Sequence, residues 1–217
     1  MILDKEHIER VESFIEKHKV DFIDVKHELL DHIACDVETI MQKENLAFED
    51  AFQRVKVKWK PLLEERCNFW MGLLYVKPRL VIDKCGGIMK KVLLNAIAFG
   101  LAFSVVAKFS LPHLPVNLGD IRGKMNIVLW LIFTISALAS IYHTREILQD
   151  KNKTVYGYCY VRQFSALPVF FLLLCLNPNT SGIDGFENTF LVMALCFQYF
   201  SFKIYNQHKT YSRCYIS

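Results

Sequence analysis

The first 65 residues carry apolar side chains at the spacing of amphipathic helices. Ile8, Val11 and Ile15 recur at i, i+3 and i+7, so that they share one helical face. Stripes of this kind predict three helices, over residues 5–18, 22–43 and 48–63. Because the connectors between them are short, we expect a compact three-helix module over residues 1–65, within an all-α protein.

From residue 92 onward the pattern changes to long apolar runs, which predict a membrane domain over residues 92–217. The segment 92–111 would measure about 30 Å as a helix, which matches the hydrocarbon thickness of a bilayer. Three more segments complete a predicted four-helix transmembrane bundle, at residues 126–142, 161–176 and 189–205. The last two are short or interrupted by polar residues, so we expect them to pack as a hairpin against the first two.

Residues 66–91 join these two parts and mix aromatic and aliphatic residues with basic ones. The stretch is too short and too charged to cross a bilayer. We therefore predict a basic amphipathic linker at the membrane interface, either an interfacial helix or a re-entrant elbow, broken near Pro78 and again at Gly86 and Gly87. A buried helix of the N-terminal module is the alternative interpretation.

The net charge of the chain changes sign between the N-terminal module and the linker. Residues 1–65 hold 10 basic and 16 acidic groups, a net charge of −6, whereas residues 66–91 hold six basic groups and one acid, a net charge of +5. A nucleic-acid-binding protein would place its basic residues on the folded domain, so we expect no nucleic acid partner. The basic residues of the linker are predicted to form a collar against anionic lipid headgroups of the bilayer. These residues are Lys77, Arg79, Lys84, Lys90 and Lys91.

The Lys and Arg residues near the predicted spans indicate an orientation. They are concentrated before the first span, between the second and third, and after the fourth. The positive-inside rule therefore predicts a multi-pass protein of the plasma (inner) membrane with both termini in the cytoplasm. The seven cysteines include no C-x-x-C pair, which is typical of reduced thiols facing the cytoplasm. We expect no cleavable signal peptide, because the N-terminus is acidic and amphipathic.

The densest polar cluster lies on the second predicted helix, between His27 and Asp36. The zinc peptidase motif H-E-x-x-H needs two histidines one turn apart, whereas His32 follows His27 after five positions. We therefore predict no metal site and no cofactor. The i, i+4 spacing of His32 and Asp36 favours a hydrogen-bonded pair, to which a neighbouring helix can add a donor, because a carboxylate beside the core needs a partner. Alternatively, this helix presents a weak partner-binding face, formed by Glu28, Asp31, His32 and Asp36.

A family resemblance rests on the same helix and the one after it. The residues that carry it are Glu28-Leu29-x-Asp31-His32-Ile33, then Phe48-x-x-Ala51-Phe52 and Trp59. This arrangement is similar to the short helical N-terminal modules ("HAAS"-like) that precede groups of membrane spans in bacterial membrane proteins. The resemblance covers about residues 5–60 and implies a cytoplasmic protein-interaction module on a membrane anchor. It implies no catalytic residues.

These patterns predict an integral membrane accessory or regulatory protein that binds a protein partner, or a larger membrane complex, and is not an enzyme. A small oligomeric transporter or channel is the alternative, because the predicted spans contain polar residues such as Ser136 and Gln198. No acidic residue lies within those spans to couple protons, which weakens that alternative. A membrane enzyme would depend on isolated histidines without a recognisable motif, namely His113, His143 and His208.

Overall fold

Helices dominate the computed structural model, which describes residues 3–68, 72–110, 118–164 and 186–214. The described residues form seven helices and one two-stranded antiparallel sheet. In chain order the elements are α1 (Lys5–Lys17), α2 (Ile23–Glu44), α3 (Phe48–Leu63), β1 (Glu65–Asn68), β2 (Gly72–Pro78), α4 (Arg79–Ser110), α5 (Leu118–Gln149), α6 (Val155–Phe164) and α7 (Phe186–Cys214). The predicted all-α class is therefore confirmed apart from one strand pair.

The helices α1, α2 and α3 confirm the three predicted N-terminal helices to within one residue at each end. α1 begins after Asp4, whose side chain accepts a hydrogen bond of 2.8 Å from the backbone N–H of His7. This contact satisfies one of the free donors at the helix start. α2 ends at Glu44, and the next residue, Asn45, adopts a left-handed φ of 51°. Asparagine tolerates this conformation, which is common just after a helix.

The apolar stripes of the first three helices form the core of the N-terminal module. α2 packs against both α1 and α3. Ile15 of α1, Leu29 of α2 and Phe52 of α3 are at most 2% exposed. Burial of each such side chain contributes about 1.5–3 kcal/mol, so the helices are stabilised by packing on one another.

The linker contains a β-hairpin, which contradicts the predicted interfacial helix. β1 pairs antiparallel with β2, with Glu65 opposite Pro78 and Arg66 opposite Lys77. A short apolar run suits a strand as well as a helix, and periodicity alone does not separate the two. Pro78 favours the strand, because proline would interrupt a helix but is tolerated at the end of an edge strand.

α4 begins directly after the hairpin and continues without a break from Arg79 to Ser110. The predicted break at Gly86 and Gly87 is therefore wrong. Apart from the adjacent residues and the helix's own backbone, no atom lies within 4 Å of a Cβ built at either glycine. Each glycine weakens a helix interior by about 1 kcal/mol. The other residues of the 32-residue helix α4 compensate for this loss.

The chain divides into two compact units. The head unit comprises residues 1–87, 151–155 and 208–217, and the body unit comprises residues 88–150 and 156–207. The head unit thus joins the three-helix module to the hairpin, the first turns of α4 and two segments that are distant in sequence.

Two helices of the described residues are long and apolar enough to cross a membrane, rather than four. The qualifying segments are Arg79–Val106 of α4 and Ile127–Gln149 of α5. Only 17% and 6% of their most apolar stretches are buried within the protein, so neither is the enclosed core helix of a soluble domain. The first two predicted spans, 92–111 and 126–142, lie largely within these two helices.

The other two predicted spans have different outcomes. Only residues 161–164 of the third predicted span, 161–176, belong to the described residues, and the rest lies outside them. The segment 189–205 is helical as part of α7, but α7 does not qualify as a span. Gln198 and Lys203 interrupt its apolar sequence, which lowers its mean hydropathy.

The body unit has a small core between α5 and α7. Phe133, Leu191 and Ala194 are at most 4% exposed and pack together there. α4 approaches α7 closely at Gly100, where an added Cβ would collide with the side chain of Met193. A larger residue at this position would force the Met193 side chain to move, because the two helices meet there.

Candidate functional site

A groove of about 290 Å³ opens in the head unit between α2, α3 and the first turns of α4. We name it the head groove, and its lining residues are Val25, Glu28, Leu29, His32, Trp59, Leu80 and Lys84. Val25 and Leu29 are buried, whereas Glu28 and His32 are exposed. The head groove therefore combines an apolar surface with polar groups that solvent can reach.

Trp59 is the largest side chain of the head groove and is half-buried. Its indole N–H donates a hydrogen bond of 2.8 Å to Oδ2 of Asp36, and Lys58 Nζ donates to the same oxygen at 2.7 Å. The His32 ring stacks on the indole, with centroids 6.4 Å apart and planes at 20°. The donors to Asp36 thus come from the neighbouring helix α3, as the interpretation allowed, whereas the predicted hydrogen bond between His32 and Asp36 is wrong.

The negative charge of Asp36 strengthens its hydrogen bonds to Lys58 and Trp59. Burial raises the pKa of Asp36, but the hydrogen bonds from Lys58 and Trp59 and the charge of Lys58 outweigh it and lower the pKa overall. Asp36 is therefore ionised at neutral pH. A hydrogen bond to a carboxylate is stronger than one to a neutral acceptor, so the indole of Trp59 is held in a fixed orientation.

Glu28 and Lys84 form an ion pair within the head groove, although 51% of the Glu28 side chain is exposed. Asp31 lies one turn further along α2, is exposed, and has no ion-pair partner among the residues that the structure describes. The surface beside the head groove therefore keeps a negative charge. Of the four predicted partner-binding residues, Glu28 and His32 line the groove, Asp36 positions Trp59, and Asp31 lies outside the lining.

The basic residues predicted to contact lipid fall into two groups. Three of them pair with carboxylates of the head unit: Lys77 with Asp21, Arg79 with Asp83, and Lys84 with Glu28. Lys90 and Lys91 are exposed on α4. Lys77 and Lys84 therefore neutralise two carboxylates of the acidic module, whereas Arg79 pairs within its own helix.

Asp24 is a buried acid that the sequence pattern does not single out. It is 4% exposed, and its Oδ1 accepts a hydrogen bond of 3.0 Å from the backbone N–H of Val155, the first residue of α6. Its Oδ2 is buried without a hydrogen-bond donor among the described residues. Burial raises the pKa of Asp24, although the Val155 N–H and the charge of Lys84 oppose this shift. An acid in the first turn of a helix is common, so the sequence gives no signal of this contact.

Buried polar contacts also hold the end of α7 within the head unit. Thr154 and His208 are at most 3% exposed, and Oγ1 of Thr154 lies 2.8 Å from Nδ1 of His208, within hydrogen-bond distance. Asn152 donates a hydrogen bond of 3.0 Å to the carbonyl of Ser212. His208 is therefore a buried packing residue, not an accessible base.

The body unit holds a polar cluster of its own. Ser136 donates a hydrogen bond to Oε1 of Gln198, which joins α5 to α7. Nδ1 of His143 lies 3.2 Å from the hydroxyl of Tyr160 on α6. The third histidine considered for an enzyme, His113, lies outside the described residues.

Within the described ranges, no group of three or more His, Cys, Asp or Glu side chains is arranged to hold a metal ion. Comparisons with known protein families, curated proteins and solved structures find no match to this chain. The function is therefore inferred from the head groove and from the apolar helices of this chain.

Proposed function

We propose that this chain is an integral membrane accessory or regulatory protein that binds a protein partner through the head groove and catalyses no reaction of its own. The observation that carries the proposal is the half-buried indole of Trp59, held by Asp36 and His32 at the surface of a small helical unit. Tryptophan is enriched at binding hot spots, and an indole that is already ordered loses little entropy when a partner covers it.

The exposed surfaces of α4 and α5 support a membrane location. Large apolar side chains are exposed along both helices, among them Leu94, Phe99 and Val106 of α4 and Ile127, Ile135 and Leu138 of α5. Soluble monomers rarely expose contiguous apolar patches of this extent, whereas lipid tails solvate them. Both helices then cross the plasma (inner) membrane of a bacterium.

The flanking charges support an orientation with both termini in the cytoplasm. Lys90 and Lys91 precede the most apolar part of α4, and Lys151 and Lys153 follow α5. Two consecutive crossings return the chain to its starting side, so these basic flanks lie on the same side of the membrane. The exposed Lys90 and Lys91 then contact anionic lipid headgroups.

The chemistry of the head groove indicates the kind of partner. Trp59 and Leu80 offer apolar contacts, while Asp31 provides an exposed negative charge beside them. An amphipathic helix with an apolar face and a basic edge matches this surface. The resemblance of residues 5–60 to interaction modules on membrane anchors agrees with this partner. Electrostatic complementarity would chiefly raise the association rate.

The experiment is photo-crosslinking of the full chain in its native membranes. A benzophenone amino acid at Leu62, an exposed position on α3 one turn after Trp59, should yield one adduct of defined mass with a protein identified by mass spectrometry. The adduct should disappear with Trp59→Ala and weaken with Asp31→Lys. Trp59→Phe keeps a ring and should preserve most of the adduct.

Val57 supplies the matched control, because it is 74% exposed on the same helix but lies about 200° around it from Trp59. A crosslinker at Val57 should not capture the same protein. The same adduct from both positions, or an adduct indifferent to Trp59→Ala, would exclude the head groove as the binding surface.

A small oligomeric transporter or channel is the second candidate, and the polar cluster of the body unit favours it. Gln198 is 6% exposed on α7 and is hydrogen-bonded to Ser136. Polar side chains within spans most often join helices, but they also line pathways. Solute flux in proteoliposomes that is lost with Gln198→Leu would support a pathway, and flux equal to that of empty liposomes would exclude it.

A further inference from the structure

A groove of about 300 Å³ lies within the body unit between α5, α6 and α7. We name it the body groove. α5 contributes lining residues between Ile132 and His143, and α7 contributes lining residues between Leu195 and Phe202. Ile132, Tyr199 and Phe202 are 44–56% exposed, so the body groove opens on the outer surface of the unit.

Most polar groups that line the body groove are already hydrogen-bonded. The hydroxyl of Ser140 donates to the carbonyl of Ser136 at 2.9 Å, and the side chains of Ser136 and Gln198 are hydrogen-bonded to each other. None of the lining residues, as far as the structure describes them, is Asp, Glu, Lys or Arg. A charged group inside the groove would lack a partner there, whereas a hydrocarbon chain needs none.

The length of the body groove matches one leaflet of a bilayer. Ile132 and His143 are eleven residues apart on α5, which is about 17 Å along a helix. Both lie within Ile127–Gln149, the segment of α5 that is apolar enough to cross a membrane. Half of a hydrocarbon core of about 30 Å measures about 15 Å. The groove therefore has the length that one acyl chain covers in one leaflet.

Lys203 supplies a cation beside this apolar groove. Its Nζ lies 5.0 Å from the ring centroid of Tyr199, which lines the groove, and 5.7 Å from that of Phe200. Lys203 is exposed and forms no ion pair with a carboxylate among the residues that the structure describes. An ammonium group at membrane depth needs an anion or water as its partner.

The contacts of α7 with α5 place Lys203 near the edge of the hydrocarbon core. Tyr205, two residues beyond Lys203, stacks on His143, with centroids 4.0 Å apart and planes at 17°. The apolar sequence of α5 ends at the same level, because the exposed Arg145 follows His143 by two residues. Basic residues at the end of an apolar run mark the level of the lipid headgroups. The body groove thus extends from this level toward the middle of the bilayer.

We propose that the body groove and Lys203 together bind one anionic phospholipid, whose acyl chain lies in the groove and whose headgroup contacts Lys203. Lipid tails are as apolar as the groove, so the charge of Lys203 sets the preference among lipids. The proposal rests on the membrane location of α5 proposed above. It involves neither the head groove nor the lipid contacts of Lys90 and Lys91.

The test uses phosphatidylglycerol and phosphatidylcholine that carry the same diazirine-labelled acyl chain. Each is added as a trace to phosphatidylcholine nanodiscs that hold the full chain, and the adducts formed on illumination are mapped by mass spectrometry. Adducts on the groove residues should form about fivefold more with phosphatidylglycerol, as expected for one basic residue near an anionic headgroup. Lys203→Gln should bring this ratio close to one, whereas Lys203→Arg should preserve it.

Lys90 provides a matched control, because it is an exposed lysine of the same unit on another helix, α4. Lys90→Gln should leave the ratio of the two lipids in the body groove unchanged. Equal labelling of the groove by both lipids in the wild-type protein would overturn the proposal. An equal fall of the ratio in Lys90→Gln and Lys203→Gln would also overturn it, since the preference would then follow net charge.

A second variant tests the groove itself. Ala139 lines it at an exposed position of α5, so Ala139→Trp fills the space without entering a packed core. Groove adducts of both lipids should disappear in this variant, while adducts on Phe99, 58% exposed on α4, should remain. Persistent groove adducts would overturn the proposal. Wild-type adducts on α4 without any in the groove would overturn this proposal alone, whereas adducts on neither would also overturn the membrane location.

Discussion

The buried carboxyl of Asp24 should make the stability of the head unit depend on pH in an unusual direction. Because its pKa in the folded protein is raised above the usual value of 3.8, the folded protein holds this proton more tightly than the unfolded chain does. The stabilising contribution is complete below the unfolded pKa and is lost as pH rises through the folded pKa. Most carboxyls in proteins act in the opposite direction, because their folded pKa is lowered.

Two substitutions separate the charge of Asp24 from its hydrogen bond. Asp24→Ala removes the acceptor for the Val155 N–H, now 3.0 Å away, and leaves that donor buried. We expect a loss of about 1–3 kcal/mol. Asp24→Asn keeps an acceptor oxygen and removes the charge, so its stability relative to the wild-type protein should increase as pH rises from 3.8 through the raised folded pKa of Asp24 and then level off.

The assay is urea unfolding of the full chain in detergent, followed by tryptophan fluorescence at several pH values between 4 and 8. Trp59 reports on the head unit, and a Trp130→Phe background removes one signal of the body unit. A difference between Asp24→Asn and the wild-type protein that does not vary with pH would refute the assignment of a raised pKa. A larger loss in Asp24→Asn than in Asp24→Ala would refute the role of the Val155 contact.

Three further predictions concern stability and use the same unfolding assay at pH 7 unless stated. Phe52→Ala should cost about 3–5 kcal/mol because Phe52 is 2% exposed, whereas Val57→Ala, at a site 74% exposed, should change stability by less than about 0.5 kcal/mol. Gly87→Ala should stabilise α4 by about 0.5–1 kcal/mol, since the site has open space around it, and a loss would indicate a break in the helix. Asp36→Asn should cost about 1 kcal/mol at neutral pH. This deficit should shrink as pH falls through the lowered folded pKa of Asp36, and a deficit constant down to pH 3 would contradict the charge-assisted bond.

The sequence predicts the local parts of this fold well and the long-range parts poorly. α1 to α3 follow from amphipathic stripes, because the spacing of Val11 and Ile15 is set within one helix. The β-hairpin does not follow, since a run of four or five apolar residues fits either a strand or a helix. The break at Gly86 is a wrong prediction because low helix propensity is outweighed by the rest of a 32-residue helix.

The candidate site could be predicted only in part from the sequence, because its contacts join residues that are far apart in the chain. Helical projection indicates that Asp36 needs a donor, but it does not identify Trp59, which lies 23 residues away on another helix. The ion pair of Glu28 with Lys84 joins positions 56 residues apart. The contact of Asp24 with Val155 joins positions 131 residues apart. No local pattern encodes such pairs, which depend on how the whole chain packs.

The contact between Asp24 and Val155, together with that between Thr154 and His208, has a consequence for biosynthesis. The N-terminal helices leave the ribosome early, yet Val155, whose N–H satisfies the buried Asp24, is translated 131 residues after it, and the neighbouring Thr154 meets His208 only 54 residues later still. Until then the nascent chain exposes an incomplete surface that chaperones or proteases could recognise. Truncation a few residues before Lys153 removes the partners of Ile23 and Asp24 and should therefore make the N-terminal helices a substrate for degradation, even though every residue of those helices has been made.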